Sequence, residues 1–479
     1  MSATPLEADK KSHLPDDFEV QGGYSPSDGP SDGPQRQIQH DAVFGDLDEA
    51  GPNYRSVGWV MSGIIMIKTM LGLGVLSIPA VFDTLGMIPG VICMLAISAV
   101  TTWCAIQVQD FKILHPSVYG VDDAGFLMVG RWGREILYVA FLLCWIFVGG
   151  SGMVSTSIAL NAVSEHGTCS AVFTAIAAIL TFCLASIRTL NKMSWLAWVG
   201  TASVLIATLT LTVAVGVQDR PAAAPHTGEW KPDFKLFNNP PFHQGISAIG
   251  SLIFAFGGIP ALFSVIAEMK EPRDFRKSLA FCQTVLTVTY LIVGIVVYRY
   301  CGSFVSNPAL GSAGVLMKKV CYGLALPGVL VSTVLITHFP AKLLFVRLLR
   351  GSRHLTSNNA VHWATWLGSV ASITIVSYII ASAVPIFGGL VSLIGALFVP
   401  LMSYQPMGGM WLYDNWKYRT SRGKTFKWRW DFGWSVFVIV FGTFIMVAGT
   451  YGAIKDIIIS YKESGGTLAW SCADNSNSV

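Results

Sequence analysis

The chain has 479 residues, 52% hydrophobic and only 13% charged, with a formal net charge of +4 and a mean hydropathy of +0.55. A soluble domain carries about 25% charged residues, so lipid is the main solvent here, and at about 20 apolar residues per crossing the length is taken up by roughly ten to twelve spans. That leaves no room for a soluble catalytic domain, and no nucleic-acid partner is expected.

The first 55 residues are polar and rich in Asp, Glu, Ser, Pro and Gly, with Pro26-Ser27-Asp28-Gly29-Pro30 echoed by Ser31-Asp32-Gly33-Pro34. Such a segment buries too little apolar area to offset its ordering entropy and reads as a disordered cytoplasmic tail, residues 1–55. It lacks the short basic-then-apolar pattern of a cleavable signal, so the first span serves as its own insertion signal. A window of about 19 residues then gives eleven spans, at residues 57–82, 87–108, 136–159, 168–187, 195–217, 245–267, 279–300, 323–346, 363–383, 387–404 and 432–453. The expected fold is an all-α polytopic membrane protein. Its transporter domain is residues 56–454, made of a first set of five spans (57–217), a second set of five (245–404) and an extra helix (432–453), and a short tail follows at 455–479.

Lys and Arg accumulate in cytoplasmic loops. One set of loops holds Lys112, Arg131, Arg134, Arg188, Lys192, Lys270, Arg273, Arg276, Lys277, Arg347, Arg350, Arg353 and the basic run from Lys417 to Arg429, whereas the opposite set holds only Arg220, Lys231, Lys235, Lys318 and Lys319. This asymmetry places the N-terminus inside and, with an odd number of spans, the C-terminus outside. The nine cysteines include no Cys-x-x-Cys, and no metal site is expected. Cys169, Cys301, Cys321 and Cys472 fall near the outer face, where a Cys301–Cys321 bridge is conceivable.

The first span contains Lys68-Thr69-Met70-Leu71-Gly72-Leu73-Gly74-Val75-Leu76-Ser77-Ile78-Pro79, two glycines and a proline near the bilayer midplane. Proline removes a donor and glycine weakens the helix, so the helix is expected to open there. In hydrocarbon an opened helix survives only against protein or a watery cavity. The sixth span repeats the device with Phe254-Ala255-Phe256-Gly257-Gly258-Ile259-Pro260. Spans one and six begin successive five-span sets, and an odd number of spans inverts the second set. Interruptions at corresponding positions of inverted repeats are the best sequence pointer to a transporter's binding site. The other reading of these glycines is close helix packing.

The stretch from Lys68 to Pro79 followed by Asp83-Thr84-Leu85-Gly86, the run from Phe254 to Gly258, and Glu268-Met269-Lys270-Glu271-Pro272-Arg273-Asp274-Phe275 resemble the amino acid/auxin permease family. The resemblance covers nearly all of residues 57–453 and looks most like the filamentous-fungal neutral amino acid permeases. It implies eleven spans in the 5+5 inverted-repeat amino acid transporter fold, moving amino acids with H+ or Na+. Substrate contacts are expected from Thr69, Leu71, Gly72, Leu73, Gly74 and Val75, with the Leu71–Val75 backbone on the carboxylate. Phe256, Gly257, Gly258 and Ile259 are expected at the amino group and side-chain pocket, with Ser151 and Ser155 as a wall near Trp145 and Phe147. Sodium-coupled relatives tend to carry Asn at the position of Lys68 and proton-coupled ones often Lys, which favours protons.

Lys68 lies about 16 Å of helix into its span, too deep for easy snorkelling, and an ionisable residue at such depth is a functional candidate. The competing reading is a structural ion pair with Glu268. Span eight adds Ser332, Thr333, Thr337, His338 and Lys342. The hydroxyls either reach across the first interruption or bond their own backbone, and His338 is either a proton relay or a structural residue. The ion-coupling candidates are thus Lys68, Glu268, Thr333, Thr337 and His338. No unpaired Asp or Glu stands beside either interruption to receive a cationic side chain, which favours neutral substrates. The resulting expectation is a symporter at the plasma membrane that imports neutral aliphatic and aromatic L-amino acids, needing no cofactor beyond the transmembrane proton gradient. The rivals are a vacuolar transporter of the same family and a non-transporting amino acid receptor. An enzyme is not expected, since there is no His-Glu-x-x-His and no Gly-x-Ser-x-Gly.

Overall fold

The computed structural model describes residues 39–41, 45–47, 57–187, 190–218, 231–349, 359–384, 386–416, 425–463 and 470–476, with a few isolated positions between them. Within the stretch expected to be a disordered tail, β1 (Gln39–Asp41) and β2 (Gly45–Leu47) pair as an antiparallel hairpin. The rest of that tail lies outside the described residues.

The first span is α1 (Trp59–Gly74), one 3-10 turn at Val75–Ser77 and α2 (Ile78–Leu85). Next come α3 (Met87–Leu114), a short helix α4 (Val121–Val129), α5 (Arg131–Ser164), α6 (Ser170–Ala185) and α7 (Leu190–Val217). The sixth span is α8 (Phe242–Ala255), a 3-10 turn at Ile259–Ala261 and α9 (Leu262–Glu268). It leads into α10 (Phe275–Cys301), α11 (Val315–Leu349), α12 (Ala360–Ala383), and α13 (Phe387–Val399), which passes through a π-helical turn into α14 (Gln405–Trp416). The last span joins α15 (Phe426–Phe444) to α16 (Thr450–Glu463), so the tail expected from residue 455 begins inside a helix. Among the described residues ten helical stretches are long and apolar enough to cross a bilayer. The count of eleven turns on α6, whose 16 residues span about 24 Å against a hydrocarbon core of about 30 Å.

The two halves pack alike. α5 packs on α6 as α11 packs on α12, α5 reaches α12 as α11 reaches α6, and α1 lies on α7 as α8 lies on α13. The loops repeat this relation at opposite ends. Just before the first span, Val57 exchanges backbone hydrogen bonds with the end of the sixth, its N–H donating to Glu268 and its carbonyl accepting from Lys270. Just before the sixth span, the carbonyls of Lys235 and Leu236 accept from Met87 and Ile88 beyond the first. The two interrupted spans form the centre: 89% of the most apolar window of the first and 83% of the sixth is buried, against 28% of the last span.

Past α16, the C-terminal segment is fastened to the opposite loops. Cys472 is disulfide-bonded to Cys169 at the start of α6. Asn475 accepts from Asn161, Ser170 donates to the Ala473 carbonyl, Lys318 donates to Ser476, and the Trp470 ring packs edge-on against Tyr378. The bridge conceived between Cys301 and Cys321 is not formed. Both thiols are buried and free, and that of Cys301 engages Ser312 instead.

Candidate functional site

The two interruptions differ. In the first span the backbone stays in the right-handed helical region at Gly74 (φ −61°, ψ −43°), Val75 (−58°, −29°), Ser77 (−96°, −17°) and Ile78 (−56°, −47°). The expected opening there is corrected to a tightening into one 3-10 turn. Pro79 falls in the first turn of α2, where its missing N–H has no helical acceptor to lose, and the Ser77 hydroxyl donates to the Gly74 carbonyl at 2.9 Å. The sixth span does open. α8 stops at Ala255, and Phe256 (φ −105°, ψ 12°) and Gly258 (φ −79°, ψ 3°) leave the helical path before the next turn.

A cavity lies at this opening. Its walls are Thr69, Met70, Leu73 and Gly74 of α1, Cys144, Trp145 and Val148 of α5, Phe254, Gly257 and Gly258 of the sixth span, Ile336 of α11, and Ile394 and Val399 of α13. About 30 Å³ is open to the centres of water-sized spheres, room for roughly two waters and too little for a leucine side chain. No wall residue is charged. Of the expected substrate contacts, Thr69, Leu73, Gly74, Gly257 and Gly258 line the cavity. Leu71, Val75, Phe256 and Ile259 are buried in the surrounding core, and Gly72 faces Ser332 and Lys68. Ser151 donates to its own helix at Val148, and Ser155 is buried in α5 outside the walls. Of the Leu71–Val75 stretch expected at the carboxylate, Leu73 and Gly74 line the cavity, and its backbone is helical.

Tyr290, in the middle of α10, draws the two spans together. Its hydroxyl is 2.8 Å from the Ala255 carbonyl and 3.1 Å from that of Met70, and its ring packs edge-on against Phe256 at 5.2 Å. Glycine at 74 makes this closeness possible, because a β-carbon there would stand 2.6 Å from Ala255 Cα. Tyr290 is not among the residues expected from sequence. Its signal was a polar-tipped aromatic at mid-span, away from the interfaces where such residues gather.

The ammonium of Lys68 is fully buried and donates to the Gly328 carbonyl of α11 at 2.7 Å. Its stem passes Gly200 of α7, where a β-carbon would meet Cε at 2.7 Å. The alternative ion pair with Glu268 is not formed, because Glu268 is bonded to Lys342 of α11 at 2.9 Å. Ser332 and Thr333 donate to their own helix, at Gly328 and Val329. The Thr337 hydroxyl is buried and makes no hydrogen bond among the described residues. The His338 ring packs edge-on against Trp366, and its nitrogens form no well-shaped hydrogen bond among the described residues, with the Ala185 backbone and the Lys342 ammonium nearby. Lys68 thus stands beside the interruptions, whereas His338 looks toward α6 and α12.

Comparison with known proteins agrees with this architecture. The fold resembles that of a Na+-coupled sialic acid symporter in its substrate-bound outward-open state, with a TM-score of 0.54 at 11% identity over 84% of this chain and 91% of that one. It also resembles MhsT in complex with L-phenylalanine, at 0.52 and 13% over 84% and 98%. A protein of Gibberella moniliformis named transmembrane transporter is 35% identical over 90% of both chains. The N amino acid transport system protein of Neurospora crassa is 31% identical over 89% of this chain and 91% of its own. Vacuolar amino acid transporter 3 of Saccharomyces cerevisiae is 25% identical over 61% and 42%. Residues 55–455 match the family described as transmembrane amino acid transporter protein, and with the inverted pairing of the two halves and the opened sixth span, this shows that the chain belongs to that family.

Proposed function

We propose that the protein imports neutral aliphatic and aromatic amino acids together with protons, by alternating access around the cavity at the sixth-span opening. The carrying observation is the cavity itself. It combines interrupted backbone at Gly257 and Gly258 with apolar walls from Leu73, Trp145, Phe254, Ile336 and Ile394, and no charged wall residue. Helix-end amides and carbonyls suit the ligand's carboxylate and ammonium, and a cationic side chain would find no counter-ion. The narrowness of the cavity fits a closed state that widens when the central spans move. Lys68 is the favoured coupling group, because an ammonium buried against one carbonyl holds its proton according to its access to water.

The N-terminus is assigned to the cytoplasm on two independent grounds. One is the distribution of Lys and Arg, and the other is the Cys169–Cys472 disulfide, which belongs on an oxidising side. A plasma-membrane address remains part of this proposal, with the vacuolar membrane as its alternative, since one relative of partial coverage is named a vacuolar amino acid transporter. The test is accumulation of labelled leucine and phenylalanine in proteoliposomes under an imposed pH gradient, with Lys68→Ala and Lys68→Asn beside the wild type, with and without sodium. Loss of pH-driven accumulation in Lys68→Ala supports the coupling role. Full retention refutes it, and saturable binding without flux points to a receptor.

A further inference from the structure

Ala255 is the last residue of α8, the place where a helix runs out of N–H partners for its carbonyls. In carriers with interrupted helices, such C-terminal carbonyls converge on the coupling cation. Here the Ala255 carbonyl of the sixth span and the Met70 carbonyl of the first also converge, at 2.8 and 3.1 Å from one point, and that point is the hydroxyl oxygen of Tyr290. The residue is fully buried, and its ring is held by the edge-on contact with Phe256. Gly74 keeps the approach clear, since a β-carbon there would sit 3.2 Å from the hydroxyl. A single O–H, donated to carbonyls of two different spans, supplies the positive end that a bound monovalent cation would otherwise supply.

We infer that the Tyr290 hydroxyl is a built-in substitute for a monovalent cation, a positioning residue that joins the two interrupted spans and makes their closure independent of sodium. This deepens the transport reading and rests on it. The matching group on the α11 side of α1 is the Lys68 ammonium on Gly328, so two of the chain's own donors cap carbonyls around the centre.

Tyr290→Phe removes the donor and keeps the ring, leaving two carbonyls facing a hydroxyl-sized gap. The test compares Tyr290→Phe with wild type in choline, sodium and lithium chloride at equal ionic strength, by leucine uptake under a pH gradient and by thermal unfolding of the purified protein. In choline, uptake by the variant is expected to fall about tenfold, the worth of one buried hydrogen bond, and sodium or lithium is expected to restore most of it. The same salts should raise the variant's melting temperature and leave the wild type unmoved. A Tyr290→Phe protein that matches wild type in choline overturns the inference. So does one whose uptake, or yield of folded protein, no salt recovers, and so does a wild type that itself needs sodium. A wild type without pH-driven uptake refutes the transport reading instead, while the salt-dependent melting of the variant still decides the role of Tyr290.

Discussion

Alanine at position 74 tests how the two central spans meet. The new β-carbon would lie 2.6 Å from Ala255 Cα and 3.0 Å from Ala255 Cβ, whereas non-bonded carbons rest at about 3.5–4.0 Å. The obstacle is backbone and cannot swing away, so α1 and α8 must part by about 1 Å, and overpacking of this kind costs about 1–3 kcal/mol. That separation also carries the Met70 carbonyl, now 3.1 Å from Tyr290, out of hydrogen-bond range, for about 0.5–1.5 kcal/mol more. Alanine's better helix propensity returns about 1 kcal/mol, leaving a net loss of about 0.5–3.5 kcal/mol. Gly258 is the contrast, because its added carbon would meet side-chain atoms of Met70, Cγ at 2.8 and Cε at 3.0 Å, and an unbranched thioether adapts more readily than backbone. Thermal unfolding in detergent, followed by leucine uptake, should show Gly74→Ala destabilised and slow. Gly258→Ala should keep near-normal stability with a raised KM, since Met70 is pushed into the cavity. Equal stability losses at the two positions, or a Gly74→Ala protein as stable as wild type, would refute the contact as described.

Glu268→Gln should destabilise by about 3 kcal/mol, because it removes the carboxylate from a largely buried ion pair with Lys342; the exchanged pair Glu268→Lys with Lys342→Glu should recover part of the lost melting temperature, and no recovery would mean that the pair matters only for packing. Asp122, buried in the first turn of α4, has its carboxyl pushed up to about 6 from 3.8 by burial and by the adjacent Asp123. The folded protein therefore keeps a proton that the unfolded chain has released, so the stability tied to that proton is present below about pH 4 and lost as pH rises through about 6. Asp122→Asn is accordingly expected to unfold later than wild type at pH 8, by on the order of 2–3 kcal/mol, and at the same point near pH 4, a convergence that melting curves across pH would show or deny. In intact cells a membrane-impermeant maleimide should label Cys169 only when Cys472→Ser frees it; labelling that needs permeabilised cells would invert the assigned sidedness.

The spans were legible because a bilayer demands long unbroken apolar runs, and the pairing of two five-span halves followed from the position of the glycine and proline clusters. α4 escaped because nine residues that include Asp122, Asp123 and Gly125 give no apolar window of membrane length. The disulfide escaped because its cysteines are 303 residues apart and nothing local joins them. Lys68 stood out by depth and by the family resemblance, yet its acceptor is the backbone carbonyl of Gly328, a group every residue carries, so no pattern of side chains could point to it. Glu268 was paired with Lys68 in sequence, whereas in the fold its carboxylate meets Lys342 of α11 at 2.9 Å.

The two glycine clusters looked equivalent in sequence, and the competing readings of opening and close packing turn out to hold for one span each. In the first, Gly72 and Gly74 are two apart and both keep helical neighbours. Their missing β-carbons admit Ser332 on one side and Ala255 on the other, so small residues serve packing and the helix only tightens. In the sixth, Gly257 and Gly258 are adjacent, two weak helix formers in succession, and Pro260 follows within two residues, in the first turn after the opening. The Gly257 N–H still donates to the Phe254 carbonyl at 2.9 Å, while the Ala255 carbonyl accepts from Tyr290, which reaches in from α10. Adjacency of the glycines separates a hinge from a packing groove, and it predicts that inserting a helix-forming residue between α8 and α9 would impair transport more than the same insertion in the 3-10 turn at Val75–Ser77.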